Sequence, residues 1–302
     1  MQQKNNHYSV LLKETILALN IKPNGIYVDL TLGMGGHSSE ILKLIPDGQL
    51  IAFDKDTFAI NQSKKRLEKI APNFQLIHSD FANITEELTK LGIHQVDGII
   101  ADLGISSPQI DNAERGFSYN KNARLDMRMN NEQELDAHYV VNNYSEVDLT
   151  KIIYEYAEVK FAKQIAKAIV NNRPINTTLE LADVIRNNLP AKIVSQKNFL
   201  KPVFQAIRIE VNNEFDSIRK MLSNAVKLLK VNSSLAIISF HSLEDSIVKH
   251  FFGNLTKDKL PSKMPINENK QYIVKTVKPS KNELSENNRS RSAKLRILTK
   301  IQ

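Results

Sequence analysis

The chain contains no cysteine. Disulfides, thiolate metal sites and cysteine nucleophiles are therefore excluded, and a reducing compartment fits. No apolar run is long enough to span a bilayer; LAIISF (235–240) is among the longest. The opening stretch, MQQKNNHYSV, is polar and lacks the apolar core of a signal peptide. These absences point to a cytoplasmic protein with no membrane partner. No two histidines stand at a convincing metal-ligand spacing, so no metal is expected. Internal repeats and low-complexity tracts are also missing.

What is present is ordinary for a soluble globular protein: 302 residues, 41% hydrophobic and 25% charged. That length suits two domains, or one domain with an insertion, and buries a sizeable core. The net charge of +8 is unevenly placed. Residues 254–302 hold 12 Lys/Arg against 4 Asp/Glu, while the other 253 residues hold 29 of each sign. A basic C-terminal region reads either as a solvated face or as a phosphate-binding surface. Arg289, Arg291, Lys294 and Arg296 are its candidate phosphate contacts.

The first hundred residues alternate strand and helix patterns. NGIYVDL (24–30), GQLIAFDKD (48–56), FQLIHSDF (74–81) and VDGIIADLG (96–104) read as strands. Between them GHSSEILKLI (36–45), with Ser38 as N-cap, AINQSKKRLEKI (59–70) and ITEELTKLGI (84–93) read as helices. This βαβαβαβ rhythm predicts an α/β fold with an open, mostly parallel sheet.

From about Gln109 to Lys201 the rhythm stops. Helical spacing recurs at 145–157, 158–172 and 178–189, and no strand is convincing. The prediction is a helical insertion over 109–201, serving substrate recognition. The sheet domain would then be discontinuous, 1–108 and 202–302. Residues 203–230 read as one long helix, SSLAIISFHS (233–242) as a strand, and QYIVKTVK (271–278) and AKLRILTK (293–300) as paired closing strands.

In a parallel sheet, ligands sit beyond the carboxyl ends of the strands. Asp29, Asp54, Asp80 and Asp102 each fall at a predicted strand end and describe a polar rim. After Asp29 comes TLGMGGHS, with Gly33, Gly35 and Gly36. Glycines there allow a tight turn and close backbone approach to a ligand. The G-x-G-x-x-G dinucleotide fingerprint fails at Ser38, and the Gly-Lys-Ser/Thr of a phosphate-binding loop is absent. An acid ahead of the loop suits a cofactor that is cationic where it is touched. S-adenosylmethionine fits. Asp29 would lie near its amino acid end, Asp54 would accept the ribose hydroxyls, and Asp80 and Phe81 would border the adenine. The amides of Gly35, Gly36 and His37 would bind its carboxylate at a helix start.

After the fourth strand comes ADLGISSPQ (101–109). In methyltransferases acting on exocyclic amines this place carries a polar residue, Pro-Pro and an aromatic. Here Ser106-Ser107-Pro108-Gln109 keeps a polar residue and one proline but lacks the aromatic. Asp102, Ser106, Ser107 and Pro108 are the candidate methyl-transfer residues. No strong base is needed, because a methylated amine sheds its proton readily; alignment and hydrogen bonding suffice.

The words HYSVLLKET (7–15), DLTLGMGGHS (29–38), DLGISSPQ (102–109), ERGFS (114–118), LDMRM (125–129), FQAIRIEVNNE (204–214), ISFHSLED (238–245) and RSRSAKLR (289–296) run nearly the whole chain. Together they resemble the ribosomal RNA small-subunit methyltransferase H (RsmH, MraW) family. The resemblance implies a class I S-adenosylmethionine-dependent methyltransferase core, Rossmann-like, with an inserted all-helical domain. It implies N4-methylation of a cytidine in the decoding (P-site) region of 16S rRNA, with the 30S subunit as partner and a homodimer as one allowed assembly. It carries cofactor contacts onto Gly35, Gly36, His37, Asp54, Phe81, Asp102 and Gln109. One departure is KNARLDMRM (121–129), where the family usually has Gly-Pro before LDMRM.

Three alternatives stay in view. One is a methyltransferase acting on another nucleic acid, a protein or a small molecule, the last disfavoured by the basic C-terminus. Another is a ribosome assembly factor that binds the cofactor without turnover. The third is a nicotinamide oxidoreductase, disfavoured by Ser38 and Asp29.

Overall fold

The structure, a computed structural model, describes residues 9–195, 198–257 and 270–302. His7 and Tyr8 of the first motif, and residues 258–269 of the basic region, lie outside the described residues. The chain divides into two compact units, Met1–Gly104 with Phe215–Gln302, and Ile105–Glu214.

The first unit is built on a seven-stranded sheet in the order β3-β2-β1-β4-β5-β7-β6. Its strands are β1 (Ile26–Asp29), β2 (Gln49–Asp54), β3 (Phe74–His78), β4 (Val96–Asp102), β5 (Leu229–Ser239), β6 (Tyr272–Val277) and β7 (Lys294–Lys300). The first five run parallel, and β7 pairs antiparallel with both β5 and β6. This is the strand order expected of a class I methyltransferase core. Central strands are apolar almost throughout: in β4 every residue from Val96 to Ala101 is buried. Parallel sheets need that, because helices cover both faces.

Helices α1 (Leu12–Leu19), α2 (Gly36–Leu44), α3 (Thr57–Leu67) and α4 (Ile84–Lys90) belong to the first half of this unit. Strand order reverses between β1 and β4, so the crevice beyond their carboxyl ends is where this topology receives a ligand. Register brings the acids to one edge: Asp29 stands beside Ala52 and Ile100, and Asp102 beside Ile238.

The second unit holds α5 (Ser107–Asp111), α6 (Ala137–Asn143), α7 (Glu146–Ala157), α8 (Ala162–Asn171), α9 (Thr178–Asn188), α10 (Ala191–Val194) and α11 (Lys201–Asn212). Helix α8 shows why the pattern folds as it does. Ala162, Ile165, Ala166 and Ile169 recur at i, i+3, i+4 and i+7 and are buried, while Lys163 and Lys167 between them are exposed. That stripe joins Leu149, Ile153, Leu181, Ile185, Val203 and Ile207 in one core. Each fully buried aliphatic side chain contributes about 1.5–3 kcal/mol. Helix starts are capped locally: Ser145 accepts from Asp148 N–H, and Thr177 with Glu180 forms a capping box. Among the described residues of this unit the only strand-like pairing is an isolated bridge, Arg124 to Thr177.

The sequence placed several boundaries differently. The stretch read as one helix over 203–230 is two, α11 and α12 (Glu214–Leu228), and Leu229 already starts β5. Between them Asn213 takes a left-handed backbone, φ 49°, which ends α11. Helix α11 packs on α7 and α6, so it belongs to the helical unit, and the units divide at 104/105 and 214/215 instead of 108/109 and 201/202. Glu158 is also left-handed, φ 53°, so α8 begins at Ala162 and not at 158. The last helices are α13 (Ser242–Thr256) and α14 (Lys281–Glu286).

Candidate active site

The loop after β1 is shaped by two glycines. Gly35 sits at φ 72° as the N-cap of α2, a conformation L side chains rarely adopt. At Gly36 a Cβ would stand 1.8 Å from Ser9 Oγ, so a side chain there requires Ser9 to move. The cap is therefore Gly35, not Ser38. Ser38 lies inside the helix and its hydroxyl donates to Asp29 Oδ2 at 2.7 Å. Backbone N–H groups in the first turn of α2 have no partner within the helix, so they form an anion-binding end.

Asp29 is 1% exposed. Its Oδ2 takes the Ser38 hydroxyl and its Oδ1 accepts from Thr31 N–H at 3.1 Å. Burial pushes its carboxyl up, against those hydrogen bonds. Asp29 thus anchors the loop from beneath.

Asp54 closes β2. Its Oδ2 accepts from Gly33 N–H at 2.8 Å and its Oδ1 from Asp56 N–H at 2.9 Å. Burial raises its carboxyl to about 6, overriding those two bonds. Each oxygen keeps a further lone pair for a ligand hydroxyl. The loop is also held by Ser63, whose hydroxyl donates to Gly33 O at 2.7 Å.

Asp80 follows β3 and is heavily used. Its Oδ1 caps Ala82 N–H at 2.8 Å, its Oδ2 accepts from Ser217 Oγ at 2.7 Å, and Lys55 Nζ stands 2.5 Å from Oδ2. The same Lys55 lies 5.7 Å from the centre of the Phe81 ring. The sequence did not single out Lys55.

Asp102 ends β4. Its N–H donates to Thr31 Oγ1 at 2.5 Å. A quarter of its side chain is exposed, yet Oδ1 is buried and has no hydrogen-bond partner. Burial, and after it the charges of Asp29 and Glu244, hold its carboxyl well above the usual range. His37 Nδ1 lies 3.9 Å from Asp102 Oδ2. That ring is buried and pushed down to about 4, so it is neutral at physiological pH and the contact is no ion pair.

The neighbouring strand β5 ends at Ser239, and His241 caps α13, accepting from Glu244 N–H through Nδ1 at 3.4 Å. Sequence reading left His241 and Glu244 out of the site. Their signal was ISFHSLED, an acid three residues after a capping residue at a strand end. Two cavities of about 410 and 570 Å³ lie elsewhere, one against α1 and β6–β7, the other near the amino ends of β1–β3. Neither touches the strand-end acids, and the chemistry of those acids decides the site.

In the helical unit, Ser106 and Gln109 form the capping box of α5, with Ser106 N–H donating to Gln109 Oε1 at 3.0 Å. Pro108 occupies the first turn, and Ser107 and Gln109 are buried. The Gln109 carbonyl is thus committed to a helix start. The LDMRM segment serves a scaffold: Met127 is buried at φ 59°, and Asn212 Nδ2 donates to its carbonyl at 2.8 Å.

The C-terminal cations separate into two pairs. Arg296 Nε donates to Asp245 Oδ1 at 2.6 Å and Lys294 Nζ to Asp245 Oδ2 at 2.7 Å. Burial acts upward on Asp245, but these bonds hold its carboxyl below the usual range. Lys294 and Arg296 therefore tie β7 to α13. Arg289 and Arg291 are exposed.

A parallel sheet ordered around β1 and β4, a glycine-capped helix start, a carboxylate closing β2 and an acid closing β4 define a methyltransferase of the class I type. The sequence matches the MraW methylase family over residues 4–301. The chain belongs to that family. It is 69% identical over 298 residues to a protein of Mycoplasmopsis agalactiae named Ribosomal RNA small subunit methyltransferase H, covering 99% of each chain. Proteins of the same name from Mycoplasmopsis synoviae and Mycoplasma mobile are 63% and 53% identical, again over 99% of each chain. A solved rRNA methylase from Streptococcus thermophilus aligns over 96% of this chain and 95% of its own at 14% identity and TM-score 0.41, too distant to add to the assignment.

Proposed function

We propose that this protein methylates N4 of a cytidine in the decoding (P-site) region of 16S rRNA, in the cytoplasm, using S-adenosylmethionine. The observation that carries the reading is Asp102: a carboxylate at the end of β4, beside the glycine loop, with a buried oxygen lacking a hydrogen-bond partner. Such an oxygen is costly unless something bound satisfies it. The names of the relatives supply the substrate class.

The residues fit the cofactor. The first-turn amides of α2, at Gly36 and His37, suit its carboxylate. Asp54 suits the ribose diol, and Phe81 offers a ring where the adenine would lie. When bound, the cofactor supplies an electrophilic methyl group. Asp102 accepts a hydrogen bond from the target amine and turns its lone pair toward that methyl. The buried, neutral His37 beside it adds no competing charge. Ser106, Ser107 and Pro108, which follow in the chain, are the other candidate methyl-transfer residues of this reading. Arg289 and Arg291 contribute phosphate contacts.

The test is transfer of a labelled methyl group to 30S particles and to naked 16S rRNA, followed by nucleoside analysis. The expected product is N4-methylcytidine. Label in any other nucleoside, or none in either substrate, rejects the reading.

A further inference from the structure

Strands β4 and β5 end side by side. Leu103 N–H donates to Ile238 O at 2.9 Å, and a side chain at Gly104 would meet the Phe240 ring at 3.6 Å. His241 therefore leaves β5 beside the point where Asp102 leaves β4, and Glu244, one turn into α13, is close enough for its charge to act on Asp102. Among the described residues, three of the buried polar atoms without a hydrogen-bond partner are Asp102 Oδ1, His37 Nε2 and His241 Nε2. Asp102 and His241 stand at the carboxyl ends of β4 and β5, and His37, in the first turn of α2, lies 3.9 Å from Asp102. Orphaned buried polar atoms are rare, and a cluster of them marks a place where a ligand completes the bonding.

The hydrogen-bond pattern fixes what His241 offers. Its Nδ1 accepts from Glu244 N–H, so in the neutral ring the proton sits on Nε2. That nitrogen lies 2.8 Å from Glu244 Oε1 without the alignment of a hydrogen bond. The Phe215 ring, 6.0 Å from the imidazole between centroids, walls its other side. His241 thus presents a donor, backed by a fully buried carboxylate, at the end of the strand that pairs with the one Asp102 ends.

We propose that Asp102 and His241 together read the Watson–Crick edge of the target cytosine, Asp102 accepting from its N4 amine and His241 Nε2–H donating to its N3. The assignment rests on the cytidine-N4 reading above and deepens it. An adjacent donor and acceptor on the protein match cytosine, whose edge offers an amine donor beside a ring-nitrogen acceptor. Uracil reverses both groups and would set acceptor against acceptor and donor against donor. Pockets that must leave buried polar groups unpaired reject the wrong partner strongly. Reading this edge requires the base to leave its stack, where its pairing edge is free. His241 is then a specificity-determining residue that positions the amine.

The test uses 30S particles reconstituted with 16S rRNA carrying either cytidine or 3-deazacytidine at the target. The second base keeps the amine and lacks the N3 acceptor. The variant is His241→Asn, whose side-chain oxygen still caps α13 and whose short amide withdraws the donor. The wild type is expected to lose about tenfold or more in turnover on the deaza target, as for an unsatisfied buried donor. His241→Asn is expected to lose a similar factor on the native target and little more on the deaza target, because both changes delete one bond. His241→Gln, with a longer amide donor, is expected to regain part of the rate on the native target only. Unchanged melting and cofactor affinity in these variants exclude a folding defect. Losses that multiply, a His241→Asn enzyme at wild-type rate on the native target, or equal rates for Gln and Asn overturn the assignment of His241 alone. Absence of wild-type transfer to the native cytidine overturns the cytidine-N4 reading, and this assignment with it.

Discussion

The backbone N–H of Gly33 donates to Asp54 Oδ2 at 2.8 Å, joining the end of β2 to the glycine loop after β1. One side chain thus shapes the loop and, in the proposed reading, binds the ribose. Asp54→Ala removes the side-chain acceptors of two backbone N–H groups and a charge-assisted ligand contact together. S-adenosylmethionine affinity is expected to fall by about 1.5–3 kcal/mol, tenfold or more. Asp54→Asn should lose less, since an amide oxygen still accepts from Gly33. Calorimetry giving equal affinities for wild type and Asp54→Ala would take Asp54 out of the site.

The same carboxyl sets a pH dependence. Burial raises it from the usual 3.8 to about 6. Its protonated form is favoured in the fold, so its contribution to the stability of the ligand-free protein is present below about pH 4 and is lost as pH rises through about 6. A ribose diol binds the ionised form, so cofactor affinity should move the other way. It should drop toward tenfold per unit below pH 6 and level off above pH 7. Titration calorimetry across that range reads the effect, and Asp54→Ala should flatten it. A wild-type profile already flat between pH 5 and 7 would contradict the proposed contact.

The strand ends were legible in the sequence because parallel strands are apolar runs and the acids stop them; Asp29, Asp54 and Asp102 end their strands, and Asp80 stands two residues past β3. What those acids touch was not legible. Asp29 turns inward because Ser38 and Thr31 satisfy it, a pairing set by the left-handed turn at Gly35. The break at Asn213 was hidden because apolar spacing continues on both sides of it. Lys294 and Arg296 read as surface charge, since Asp245, their common partner, is 49 and 51 residues away. His241 was passed over because a lone histidine carries no signal until β4 and β5 are known to be neighbours.

The two pairs of C-terminal cations should therefore separate experimentally. Replacing Lys294 and Arg296 with Gln leaves the 7%-exposed Asp245 without its partners. Stability should fall by about 2 kcal/mol or more, toward the lower end for breaking a buried pair because Lys294 is partly solvated. Replacing Arg289 and Arg291, both exposed, should cost less stability than replacing Lys294 and Arg296. It should lower the log–log salt slope of RNA binding by about 0.7–0.9 for each phosphate no longer neutralised. A salt slope unaffected by Arg289 and Arg291 would return that segment to a solvated surface.

Buried apolar packing in the helical unit makes a prediction that is independent of chemistry. Ile169 is fully buried in the core formed by α7, α8, α9 and α11. Ile169→Ala should destabilise the protein by about 2–5 kcal/mol, the range for emptying a packed aliphatic site. Denaturant unfolding measures it. A loss under about 1 kcal/mol would mean that this core collapses around the gap.

Asp102 carries the heaviest prediction. Its Oδ1 is buried without a partner, its carboxyl is held well above the usual range by burial and then by Asp29 and Glu244, and His37 stands 3.9 Å away uncharged. An internal partner would quench such an oxygen. Here the surroundings raise the cost of its charge and leave its acceptor site open for an amine. Asp102→Asn keeps shape and volume but replaces the acceptor pair with an amide that can donate. Turnover at saturating cofactor should drop by about a hundredfold or more, the scale of losing a preorganised hydrogen-bonding group. Asp102→Ala should leave no measurable transfer. Cofactor affinity should change far less than turnover in Asp102→Asn, since Asp54 and the first turn of α2 remain. Single-turnover transfer to 30S particles separates the two quantities. An Asp102→Asn enzyme with near-normal single-turnover rate would move the amine acceptor away from β4.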